Sequence, residues 1–274
     1  MPPLPALPVP DGGASAVVDD LARGLEAALG GDLLGLYVHG SLVAGDFSPA
    51  RSDLDLLAVL RTAPDETVLA AVAPVHASLE RRHPAWRGRV EVETVGLPTV
   101  VAFAGTSGAT SGRGDLIMRV SPGEALHLLL ATTHRVLTWA TVREKGRPLL
   151  GAPAAELLPP IAPGAVRTAL LEHVRDWPAW VEDMTTVGAQ AYAVLSTCRA
   201  WGALVEGEQR SKKAAADRFA RAHPDDADLV VWARDWWYAG GSDAARSRFG
   251  EVRDFVARVS RSLLDGSSRD PDLS

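Results

Sequence analysis

Two aspartates one residue apart, at the polar start of an apolar run, constrain this chain more than any other feature: Ser52-Asp53-Leu54-Asp55-Leu56-Leu57-Ala58-Val59-Leu60. The run reads as a strand. At a period of two, Asp53 and Asp55 share one face while Leu54 and Leu56 take the other. Ahead of it, Leu33 to Val38 is a short apolar run bounded by Gly31 and Gly40, which predicts a buried strand rather than a helix. Gly40-Ser41 then form a turn. The glycine lets the backbone approach a ligand closely, and the N–H groups and Ser41 hydroxyl there suit phosphate oxygens.

Two carboxylates on one strand face repel each other and are costly to keep without a cation between them. Mg2+ suits such a pair, since it prefers hard oxygen ligands and is usually held by one or two carboxylates plus water and substrate phosphates. A phosphate-holding turn beside a carboxylate pair points to metal-assisted nucleotidyl transfer. An isolated pair of this kind would more often cap a loop. Here Gly-Ser at the end of one strand, with Asp53 twelve residues beyond Ser41 at the start of the next, favours the metal reading.

The chain has 274 residues, enough for one large or two ordinary domains, and its 47% hydrophobic and 23% charged fractions are those of a globular protein. Its one cysteine, Cys198, allows no internal disulfide, so a reducing, cytoplasmic setting is expected. The opening MPPLPALPVPDGG is broken by five prolines and lacks a basic start, so it reads as neither signal peptide nor membrane helix. A net charge of −6 argues against a broad nucleic-acid surface and is compatible with a cationic small molecule. Since no later apolar run reaches the roughly 18 residues of a membrane span, no membrane partner is expected. A monomer is expected.

Helical spacing of Val17, Val18, Leu21, Leu25 and Leu29 predicts a helix over 14–29, closed by Gly30-Gly31. A second runs from Ala63-Pro64-Asp65 to about Arg82. Arg89 to Val95 alternates, placing Glu91 and Glu93 on one face, so a third carboxylate can join the aspartates; the plainer alternative is a half-exposed strand with two solvated glutamates. The Gly/Ser/Thr stretch 105–114 reads as a loop, and Gly123 to about Lys145 as one apolar helix opened by Pro122. Prolines 153, 159, 160 and 163 mark a domain boundary. Beyond them the pattern is helical, over 166–180, 190–205, 212–222, 227–238 and 244–264, with six of the eight tryptophans. The expected fold is α+β: residues 1–160 a mixed sheet with helices, residues 161–274 an α-helical bundle.

Taken together, the Gly-Ser turn, the aspartate pair, the third acid and the helical second half resemble the aminoglycoside (3'')(9) adenylyltransferases of the nucleotidyltransferase fold superfamily, which modify streptomycin and spectinomycin. The likeness extends from about Leu33 to Tyr238. Val142-Arg143-Glu144-Lys145-Gly146 leading into Leu150 to Leu158 is similar to the end of the family's first domain. Leu195-Ser196-Thr197-Cys198-Arg199-Ala200-Trp201 resembles the helix carrying a phosphate-contacting arginine. Lys212 follows Arg199 by thirteen residues and Tyr238 follows it by thirty-nine, as the family's nucleotide-binding lysine and tyrosine do.

The resemblance implies that Asp53, Asp55 and Glu91 hold Mg2+, that Gly40, Ser41 and Ser52 contact the triphosphate of ATP, and that Arg199, Lys212 and Tyr238 bind the nucleotide from the second domain. Glu91 matches the family's catalytic base, with Glu93 second. For the acceptor, Trp180 aligns with a tryptophan of the drug cleft. Thr185 and Ala189 fall where ungapped spacing puts the drug-binding acids, so Glu182 and Asp183 are the nearby candidates. His134 stands where the family has an aspartate, and Leu116 lies where a tryptophan is expected.

The resulting expectation is transfer of AMP from MgATP to a hydroxyl of an aminoglycoside or aminocyclitol. Two alternatives stay open: the same reaction on a protein or tRNA acceptor, and a nucleotide- or drug-binding module without catalysis.

Overall fold

A computed structural model describes residues 13–105 and 115–267. The Gly/Ser/Thr loop reading for 106–114 lies outside these residues. The chain divides into two compact units, Met1–Val166 and Arg167–Ser274.

The first unit is built on one six-stranded sheet. Its elements are α1 (Ala14–Leu29), β1 (Leu33–His39), α2 (Gly40–Ala44), β2 (Leu54–Leu60), α3 (Glu66–Arg82), β3 (Val90–Gly96), α4 (Leu97–Ala104), β4 (Leu116–Ser121), β5 (Glu124–Leu130), α5 (Arg135–Lys145), β6 (Arg147–Gly151) and α6 (Ala154–Leu157). The strand order is β5-β4-β3-β2-β1-β6. Only β2 and β3 pair in parallel; the other neighbours are antiparallel. The crossover between β2 and β3 is α3, which starts where the Asp65 side chain accepts from the Val68 N–H at 2.9 Å. α1 and α3 bury Val17, Val18, Leu21, Leu25, Val72 and Leu79 with Leu36, Val38, Leu54 and Leu56 of the central strands. The side chains of β2 from Leu56 to Leu60 are buried, as a strand covered on both faces requires.

The expected helix over 123–145 is wrong in its first half. Ser121-Pro122-Gly123-Glu124 is a hairpin turn with Gly123 at φ 82°, and helix begins only at Arg135. In Glu124–Leu130 a run rich in leucine imitated helical spacing, but Leu126 and Leu128 pack against the core at a period of two. β4 and β6 were also unread. The latter tolerates Pro148 because it is an edge strand, paired on one side with β1.

The second unit is helical: α7 (Pro163–Trp180), which runs through the division, then α8 (Val187–Val205), α9 (Lys212–Ala222), α10 (Ala227–Tyr238) and α11 (Phe249–Ser267). α8 is its centre, burying Ala191, Val194, Leu195 and Cys198. Gln190 is fully buried on it and satisfied at both ends. Its Nε2 donates to the Ser247 Oγ at 3.0 Å and its Oε1 accepts from the Arg248 N–H at 2.9 Å, which fixes where α11 begins. Among the described residues no helix is long and apolar enough to cross a membrane.

His76 on α3 carries a buried Nε2 with no hydrogen-bond partner, and burial pushes its pKa down from the usual 6.5 to about 4. The unfolded chain therefore binds this proton more readily than the fold. The associated stability is present above about pH 6.5 and is lost as pH falls toward 4. Thermal melts across that window should show a falling midpoint in the native protein and a flatter profile in His76→Leu. Identical pH profiles would refute this.

Candidate active site

The first unit gathers its acids where β1, β2 and β3 lie side by side. In the sheet register Asp55 sits opposite His39 on one side and Glu91 on the other, and Asp53 immediately precedes β2. One carboxylate oxygen from each of Asp53, Asp55 and Glu91 falls within 4.8 Å of the others. Like charges this close are tolerated only with compensation. Burial pushes the Glu91 carboxyl above the usual range. The Arg119 guanidinium opposes this, and the Asp53 charge adds to it. Three half-buried hard oxygen donors fit a divalent cation of the Mg2+ type.

Gly40 closes against this cluster and has no room for a side chain. Its φ is 67°, and a Cβ there would lie 1.8 Å from the Asp55 Oδ2. The next residue, Ser41, keeps a buried hydroxyl without a hydrogen-bond partner. Such a group in a folded interior needs an explanation, and a ligand oxygen is one. Ser52 is buried, and its Oγ accepts from the Ser48 N–H at 2.9 Å, shaping the loop that leads to Asp53.

Several supporting residues escaped the sequence reading. Arg119 on β4 donates from Nε and Nη2, at 3.3 and 3.2 Å, to one oxygen of Glu91, its Oε1. Its Nη1 reaches Glu124 at 3.1 Å, and the Ser121 Oγ donates to the same Glu124 oxygen. Recognising β4 would have revealed it, since Arg119 stands opposite Glu93 in the register and so beside Glu91 on one face. Arg89 donates to the Pro49 and Ser52 carbonyls and lies 4.6 Å from the Trp86 ring centroid, holding the loop before Asp53. Glu93 shares the face of Glu91 but is turned inward. It accepts from the Trp139 Nε1–H at 2.6 Å and from Arg135 at 3.2 Å, tying α5 to β3, which leaves Glu91 as the acid within the cluster.

In the second unit, Arg199 is half-buried on α8, Lys212 opens α9 and Tyr238 ends α10. Lys213 sits 5.9 Å from the Tyr238 ring centroid. Trp180 ends α7 with 37% of its surface exposed, and Glu182 and Asp183 are exposed in the 3-10 turn that follows. His134 stands at the N-terminal boundary of α5.

Residues 156–262 match the family described as aminoglycoside adenylyltransferase, C-terminal domain. Two curated aminoglycoside (3'')(9) adenylyltransferases, from Klebsiella pneumoniae and Shigella flexneri, are each 28% identical to the chain over 259 residues, covering 89% of it and 91% of their own length. The chain is thus similar to aminoglycoside adenylyltransferases along most of its length, and in its second half to their C-terminal domain. In fold it is similar to a spectinomycin adenyltransferase from Enterococcus faecialis solved with ATP and spectinomycin, with a TM-score of 0.72 at 16% identity, over 90% of this chain and 98% of that one. The α+β fold, a mixed sheet with helices followed by a helical unit, is thus similar to that of this solved structure.

Gly40 gives the sharpest test of the site's packing. Gly40→Ala must move Asp55 or distort a left-handed backbone position, so it should abolish divalent-cation binding measured by calorimetry in the presence of ATP while lowering stability by about 1–3 kcal/mol. Native-like binding in this variant would show that the close approach is unimportant.

Proposed function

We propose that the chain transfers AMP from MgATP to a hydroxyl of a cationic aminoglycoside or aminocyclitol. The observation that carries this reading is the cluster of Asp53, Asp55 and Glu91 beside an unpaired, buried Ser41 hydroxyl. The names of the curated relatives, aminoglycoside (3'')(9) adenylyltransferases, support the same reaction. An acidic chain with exposed Glu182 and Asp183 next to the exposed Trp180 ring suits a polycationic acceptor.

Asp53, Asp55 and Glu91 would hold the cation, which when bound neutralises phosphate charge and orients the α-phosphate. Gly40, Ser41 and Ser52 lie along the phosphates in this reading. Arg199, Lys212 and Tyr238 bind the nucleotide, the two cations offsetting negative charge on the phosphates and the leaving pyrophosphate. The acceptor oxygen attacks the α-phosphorus, the bond from that phosphorus to the β-bridging oxygen breaks, and pyrophosphate leaves. Glu91 takes the proton of the acceptor hydroxyl. Arg119 occupies its Oε1 and so fixes the carboxylate, while Oε2 carries neither of those bonds.

Purified protein incubated with α-labelled ATP, Mg2+ and a panel of aminoglycosides and aminocyclitols should yield labelled drug and pyrophosphate. Glu91→Gln should lower the rate about 100-fold or more while ATP still binds. Absence of labelled product with every panel member would reject the acceptor class. Label appearing on protein or tRNA in a cell lysate would instead favour a macromolecular acceptor.

A further inference from the structure

The helical unit treats one of its cations unusually. The sequence has only three lysines, Lys145, Lys212 and Lys213, among 28 basic residues, and two of them open α9. Positive charge in a first turn opposes the helix dipole, and this turn holds no acidic residue to offset it. Capping of α9 falls to Ser211, whose Oγ accepts from the Ala214 N–H at 3.3 Å. Lys145 is paired with Glu144, but Lys212 makes no ion pair among the described residues.

Aromatic faces hold it instead. The Lys212 Nζ lies 4.4 Å from the ring centroid of Tyr192 on α8 and 5.1 Å from that of Trp237 on α10. Those two rings stand 5.9 Å apart, tilted by 46°, so they form two walls of a seat. Trp180 braces Tyr192 edge-on at 6.0 Å, and Trp236 lies 6.1 Å from Trp237. Tyr192 and Arg199 are seven residues apart on α8, two helical turns, which puts the seat and Arg199 on one helix face.

We propose that Tyr192 and Trp237 are positioning residues that hold the Lys212 ammonium ordered and uncompensated for a polyphosphate, and release it when the anion arrives. The proposal rests on the reading above in which Lys212 binds the phosphates of ATP. A carboxylate partner would cancel the ammonium charge and compete with an incoming phosphate. An aromatic face orders the ammonium through the ring quadrupole without cancelling its charge. Phosphate oxygens then offer the stronger, charge-assisted hydrogen bonds, so the ammonium transfers to them.

Reductive 13C-methylation labels the three lysines while preserving their charge. The expected spectrum of the ligand-free protein has one dimethyl-lysine resonance shifted upfield by ring currents and absent in Lys212→Arg. It should return to the position of Lys145 in Tyr192→Leu and in Trp237→Leu, persist in Tyr192→Phe, and move downfield on adding tripolyphosphate or MgATP. The Kd for ATP should rise about threefold to tenfold in Tyr192→Leu and stay near native in Tyr192→Phe. A Lys212 resonance at the position of Lys145 in the native protein, or one that keeps its shift in both leucine variants, overturns the seat. An upfield signal that tripolyphosphate and ATP leave unmoved overturns the capture role. In that case ATP binding by calorimetry would leave the nucleotide reading standing, whereas its absence would remove that reading as well.

Discussion

Mutual repulsion among three carboxylates is the constraint on which the first unit turns. Asp53, Asp55 and Glu91 are brought together by the parallel pairing of β2 with β3, a register that places Asp55 against Glu91. Parallel pairing requires a crossover, and α3 provides it. The apolar undersides of these strands, Leu54, Leu56 and Val92, are buried in the core with α1 and α3. Burial of one face thereby fixes the other: a one-residue slip would drive the leucines to the acid side and the aspartates into the core.

Arginines stabilise what the acids unsettle. Arg119 grips Glu91 from β4, Arg135 meets Glu93 from α5, and Arg89 draws in the loop before Asp53. Each bond ends on an element that carries the site, so local electrostatics and strand order support each other. A cation between the acids would complete the compensation, and the buried Ser41 hydroxyl has no protein partner of its own. The helical unit shows the opposite arrangement. There Lys212 is held on aromatic faces without a carboxylate, which preserves its charge for an anion.

Much of this arrangement could be read from local patterns. The period-two spacing of Asp53, Asp55 and Glu91 placed all three on strand faces, and the structure brings them within 4.8 Å. Helical patterning located α1, α9 and α10 closely, with Gly30-Gly31 closing the first, because that signal is local to each segment. What failed depended on pairing at longer range. Leu126 to Leu130 has the composition of a helix and becomes a strand only because β4 lies beside it. With β4 unseen, Arg119 remained an ordinary arginine. Glu93 and Glu91 look alike in sequence, and only the packing of Trp139 and Arg135 separates the buried acid from the one in the cluster.

The central claim is that these acids form a cation site serving the phosphates of ATP. Crystals grown with Mn2+ and a non-hydrolysable ATP analogue would test it by anomalous diffraction. The account predicts a manganese peak bounded by Asp53, Asp55 and Glu91 and bridging to phosphate oxygens. A nucleotide bound with no manganese among these three residues would contradict it.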